Sequence, residues 1–123
     1  MITSHKEVTL LDAVTATTTS NPVNVEGYRR IGFQFKRANH SSGSSAFSVE
    51  GTINGTDWTA LNLMVSNATN TNAQTRTRVA SVSLAANGTA LAFIEDLVCL
   101  KAIRVTVTET TDGTHSAWMI ASE

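Results

Sequence analysis

The sequence predicts an all-β fold: a single antiparallel β-sandwich or jelly roll of about eight or nine strands. Three observations carry this. Apolar and polar residues alternate with the period of two that a half-buried strand requires, most clearly in Phe47 to Ile53, Arg30 to Arg37 and Ile103 to Thr108. Turn signals, Asn54-Gly55, Asn87-Gly88 and Asp112-Gly113 among them, separate these runs. No segment carries the 3.6-residue period of an amphipathic helix.

Taken in order, residues 1–7 form a polar leader or arm, and residues 8–123 a single sandwich domain. Val8 to Val14 is the first strand. Thr15 to Asn21 is a polar loop, and Val23 with Val25 gives a short strand closed by Glu26-Gly27. In Arg30 to Arg37, Ile31, Phe33 and Phe35 share one face, while Arg30, Gln34 and Lys36 share the other. Asn39 to Ser45 is a Gly/Ser-type loop. Phe47 to Ile53 then turns through Asn54-Gly55, a pair suited to the two positive-φ positions of a type I′ hairpin, into a strand from Trp58 to Leu63. Asn67 to Thr77 is a second long polar loop. Val79 to Leu84, Leu91 to Ile94, Lys101 to Thr108 and His115 to Ala121 complete the strands. Asp112-Gly113 reads as the turn of a closing hairpin.

The totals narrow the function classes. The 123 residues suffice for one domain whose core needs no disulfide or metal. The net charge of −1 leaves no basic footprint for nucleic acid, no apolar run approaches a membrane span, and nothing at the N-terminus reads as a secretory signal. Charged residues make up 15%, with Thr, Ser and Asn in their place, and a surface of small uncharged polar groups is less costly to cover with a neighbour. Cys99, the single cysteine, lies between Val98 and Leu100 and reads as a buried, inert thiol.

Catalytic and metal chemistry find little support. His5, His40 and His115 are dispersed and read as surface histidines, with no spacing suited to a zinc site. The ten carboxylates include no pair singled out by spacing for glycoside hydrolysis, and no P-loop, G-x-S-x-G or calcium-loop pattern occurs. Asn54 to Asp57 is at most a weak cation loop. The expectation is a non-enzyme with no cofactor and no metal. Trp58, Trp118 and Tyr28 are candidates for stacking on sugar rings; the competing reading packs Trp58 across its hairpin and Trp118 into the core. Arg29, Arg30, Lys36 and Arg37 cluster around one strand as a solvated face or as an electrostatic contact with an acidic partner.

The segment FSVEGTINGTDWTAL resembles a hairpin that recurs in tailed-phage virion proteins: an apolar strand, Glu-Gly, an [Asn/Asp]-Gly-Thr turn, then Trp-Thr-x-Leu. VTLLDAVTATTTSNPVNVEGYRRIGFQF resembles the opening of the same small β-sandwich family, and DLVCLKAIRVTVTETTDGT its closing hairpin. Such domains serve as capsid decoration or cement proteins, head fibres and tail or baseplate pieces. The resemblance implies a virion structural protein, assembled in the host cytoplasm, that binds the major capsid protein or another virion protein as a homo-oligomer, a trimer favoured. The run from Met1 to Glu123 suits a free-standing subunit. The contact candidates are His5 and Lys6 in the leader, Ser41 and Ser42 in one loop, Asn70, Thr71 and Arg76 in the other, and Arg29, Arg30 and Arg37. The alternative is a tail or head-appendage module that recognises host glycans; a small sandwich-class hydrolase is a third class.

Overall fold

The structure is a computed structural model that describes residues 5–67, 75–94 and 99–123. Among these residues it is all β. The strands are β1 (His5–Val14), β2 (Thr18–Thr19), β3 (Val23–Asn24), β4 (Arg30–Ala38), β5 (Ser45–Thr52), β6 (Thr59–Leu61), β7 (Leu63–Asn67), β8 (Thr75–Val79), β9 (Val82–Leu84), β10 (Gly88–Ile94), β11 (Ala102–Glu109) and β12 (Thr114–Ser122). They form two antiparallel sheets of six strands each. The first runs β1-β12-β4-β10-β7-β8; the second runs β2-β11-β5-β6, with β3 on β11 and β9 on β5.

The sandwich is as the alternation predicts, with more strands. One addition is β2, of two residues, and another arises because the expected Trp58 to Leu63 strand divides into β6 and β7, which lie in opposite sheets. The first strand begins at His5, which pairs with Ser122, so residues 5–7 belong to a sheet edge. The expected Val79 to Leu84 strand is split between β8 and β9, which lie in opposite sheets.

Two turns differ from expectation. In the central hairpin Gly51 pairs with Thr59, which leaves a loop far longer than the two-residue type I′ turn. Positive φ falls on Gly55 and not on Asn54. The Asn54 side chain organises the loop instead: its Oδ1 accepts from the backbone N–H of Thr56 (2.8 Å) and of Asp57 (2.9 Å). Ile53 accordingly leaves the strand and is 71% exposed. Asp112-Gly113 closes no hairpin, because β11 pairs with β5 while β12 pairs with β1 and β4; the turn carries the chain from one sheet to the other.

The core lies between the sheets. Ile31, Phe33 and Phe35 of β4, Ala117, Met119 and Ala121 of β12, and Leu63 meet Phe47 and Val49 of β5 and Ile103, Val105 and Val107 of β11. Phe35 stacks across the layers on Phe47 at 4.7 Å between centroids and on Phe33 at 5.8 Å. Burying each such aromatic stabilises the fold by about 2–3 kcal/mol.

Candidate interaction surface

The strand parity that buries one face of the first sheet leaves the other outward, and the register aligns its side chains in rows. Glu7, Ile120, Gly32 and Phe93 face outward in one row, continued by Met64 of β7 and Arg78 of β8. Thr9, Trp118, Gln34 and Leu91 form the next. Leu91 is 68% and Ile120 49% exposed. Between them runs a groove of about 710 Å³ along β4, walled by Trp118 and Ile120 on one side and by Leu91 and Phe93 on the other. Gly32 makes the hollow: a Cβ placed there would find Ile120 Cγ2 at 3.8 Å and Ala92 O at 4.0 Å, ordinary contact with open space beyond. Polar rows flank the patch: His5, Ser122 and Arg30 on one side, Ser116, Lys36 and Thr89 on the other.

The outer face of the second sheet is polar. Glu50 pairs with Arg104, whose Nε donates to Glu50 Oε1 at 3.0 Å, and the guanidinium lies 4.3 Å from the centroid of Trp58. Ser48 pairs with Thr106, whose hydroxyl meets that of Thr19 at 2.9 Å.

The contact candidates read from the sequence separate to the two ends of the sandwich. His5, Lys6, Arg29 and Arg30 gather at one end: His5 and Arg30 both pair with Ser122, the Arg29 N–H donates to Ser122 O, and Lys6 Nζ donates to Asn24 O. Ser41 and Ser42 lie at the other, exposed but tied down. The Ser41 N–H donates to Asp112 Oδ1 at 3.0 Å and the Ser41 hydroxyl to Asp112 Oδ2. These bonds, the hydroxyl first, hold the Asp112 carboxyl below its ordinary pKa against the opposing effect of desolvation; the Ser42 amide and then the Arg37 guanidinium lower it less. Asn70 and Thr71 lie outside the described residues. Arg76 is placed by its backbone in β8, opposite Ser66.

Arg37 corrects its own assignment. It is 1% exposed and belongs to the interior, not to a basic surface. Its Nη1 donates to Gly43 O and Leu84 O, each at 2.9 Å, and its Nη2 to Ser42 O at 2.9 Å and Asp112 O at 2.6 Å. Four backbone carbonyls, from two connections and the end of β9, thus converge on one guanidinium, with Asp112 Oδ1 at 3.7 Å adding charge. Parity could have found this: Arg37 continues the Ile31, Phe33, Phe35 series.

His115 is likewise buried rather than a surface histidine. Its Nε2 lies 2.6 Å from Ser45 Oγ and its Nδ1 3.3 Å from Val14 O. A carbonyl only accepts, so Nδ1 carries a proton, and in the neutral ring the Ser45 hydroxyl then donates to Nε2. The distance is one a nucleophile and base would share, but Ser45 and His115 are 1% and 0% exposed, out of reach of a substrate. Cys99 corrects the reading in the opposite sense: it is exposed, in the connection before β11. Its apolar sequence neighbours do not decide its side because it lies outside a strand, where parity has no meaning.

The aromatics are divided. Tyr28 packs against the core, Trp58 lies against Arg104, and Trp118 is half-buried in the groove wall. Among the described residues the carboxylates are dispersed: Asp57 accepts from Asn54 Nδ2 at 2.8 Å, Glu26 from Asn24 Nδ2 at 3.3 Å, and Glu7 lies 4.0 Å from His5. Among the described residues no three His, Cys, Asp or Glu side chains gather into a metal-binding group.

Fold and faces together define the class as a two-sheet β-sandwich with one apolar and one polar outer face. No family model matches the chain, and no curated protein matches it. Among solved structures it is similar to that of the SPBc2 prophage-derived protein YomS, with a TM-score of 0.69 at 16% sequence identity, over 100% of this chain and 96% of that one. At that identity the likeness establishes a shared fold.

Proposed function

We propose that the chain is a non-enzymatic phage virion structural protein that decorates or cements the assembled head. The observation that carries this reading is the fold likeness to a prophage-derived protein over nearly the full length of both chains. The resemblance of the hairpin around Asn54 to tailed-phage virion proteins supports it independently of the structure. The mechanism is burial of surface between subunits. A protein that binds only the assembled shell stabilises that state by linkage, and the partner is the major capsid protein or another virion protein. A chain with only 15% charged residues, and Thr, Ser and Asn in their place, loses little on having its surface covered.

Particles of the phage that encodes the chain test this by quantitative mass spectrometry. A fixed, high copy number per head, with heads lacking the chain bursting at lower temperature, is the expected result. Absence from purified particles overturns the reading. A second reading, a host-glycan module, is favoured by one observation, the half-buried Trp118 in an open groove; a glycan array with Trp118→Ala as control separates it from the first.

A further inference from the structure

The apolar outer face of the first sheet has a shape and a charge order that complement themselves. Its groove lies over β4 at Gly32 and Gln34, and the adjacent ridge is Leu91 and Phe93 of β10. Groove and ridge belong to neighbouring strands, roughly 4.8 Å apart. A two-fold axis parallel to the strands and midway between β4 and β10 therefore sets the ridge of one copy over the groove of another, and the reverse. Phe93 then meets the Gly32 hollow and Leu91 meets Gln34.

The same operation exchanges the two edges of the sheet. Glu7, on edge strand β1 with its side chain 72% exposed, comes to face Arg78 of edge strand β8. Lys36 faces Thr89, its cross-strand partner in the opposite copy, so this cation does not meet its own counterpart. A two-fold perpendicular to the strands would instead set Phe93 on Leu91 and leave Gly32 under Gln34. Six strands and the nine residues of β4 span roughly 24 by 30 Å, close to the ~800 Å² per partner of a specific interface.

We infer that this face is the contact between two copies of the chain, paired sheet to sheet through a two-fold parallel to their strands. Such an isologous contact closes at two copies. The inference does not depend on the virion reading. It is two-fold where the resemblance implied three-fold assembly, and the solution mass separates them.

The test is sedimentation equilibrium on the full chain from low micromolar to millimolar concentration. The expected species is a dimer of about 26 kDa, twice the 13.1 kDa chain. Gly32→Leu fills the hollow, its Cβ at ordinary contact distance of 3.8 Å or more from its neighbours, and Leu91→Asp puts a charge on an exposed ridge. Each is expected to raise the dimer dissociation constant at least about 50-fold, with an unchanged circular dichroism spectrum and, at concentrations where both chains are monomeric, an unfolding midpoint not below that of the native chain. Glu7→Arg and Arg78→Glu each weaken the dimer, and the double exchange restores it. A monomer at every concentration overturns the inference and leaves the groove to a glycan or another protein. A trimer, or a dimer indifferent to Gly32→Leu and Leu91→Asp, overturns it as well.

Discussion

Arg30 and Arg37 begin and nearly end the same strand, yet they stand in opposite worlds. Arg30 points outward in the polar row with His5 and Ser122, at an end where the chain is exposed. Arg37, an odd number of positions further on, points inward, and at its end two connections and the end of β9 close around it. The open end also carries a hollow of about 520 Å³ beside Ile53, Leu61 and Leu100. The closed end is filled by polar groups: the Arg37 Nη atoms donate to four backbone carbonyls while its buried Nε has no hydrogen-bond partner among the described residues, and His115 pairs with Ser45. The difference teaches that a cation on a strand is defined by the backbone oxygens within its reach. A buried guanidinium is tolerable where carbonyls have no other donor, and it then fixes the loops that supply them.

Breaking the closed end comes first. Arg37→Ala removes the donors of four carbonyls and is expected to lower stability by about 3–5 kcal/mol in urea unfolding; a loss as small as that of a surface arginine would show that the loops hold themselves. Gly113 has φ +126°, and a Cβ there would lie 2.9 Å from Arg37 Nε. Gly113→Ala should therefore cost about 2–3 kcal/mol. Part of that cost comes from the arginine, so it should shrink when Arg37 is already alanine, and a double-mutant cycle measures the difference. Ser45→Ala takes one buried hydrogen bond from His115, for about 1–2 kcal/mol by thermal unfolding.

The contribution of Asp112 depends on pH. Its folded pKa lies below the unfolded value, so the carboxylate stabilises the fold fully above the unfolded pKa, and that stability is lost as pH falls through the folded pKa. Unfolding midpoints of the native chain and Asp112→Asn, compared along a pH series, should converge in acid, below about pH 4. A constant gap would assign the loop to Ser41 packing instead. At the open end Arg30→Ala should change stability by no more than about 0.5 kcal/mol, the smallest effect of the series. A large loss there would erase the contrast between the ends.

Much of the fold was legible because strand parity is local. The inward set Ile31, Phe33, Phe35 and the alternation in β5 and β11 follow from the two-residue period, and they force two sheets with a core between. The contact candidates were less legible. Arg37 was read by its charge, although its parity matched Phe35. His115 was read as a lone surface histidine, although it shares the parity of Ala117 and Met119. Leu91 and Ile120 could not be singled out, because an exposed apolar residue looks like a core residue until the opposite face is known to be filled.

By itself, the sequence determined which residues alternate, where the chain can turn and that the product is an all-β sandwich, because these depend on neighbours along the chain. The tertiary structure alone decided which strands pair. It placed β11 and β12 in opposite sheets, so Asp112-Gly113 became a crossing rather than a hairpin. It brought Ser42, Gly43, Leu84 and Asp112 to one guanidinium, and it aligned Glu7, Ile120, Gly32 and Phe93 into a single row. Register between distant strands is fixed by the fit of two packed layers, a sum over many long-range contacts that no local pattern records.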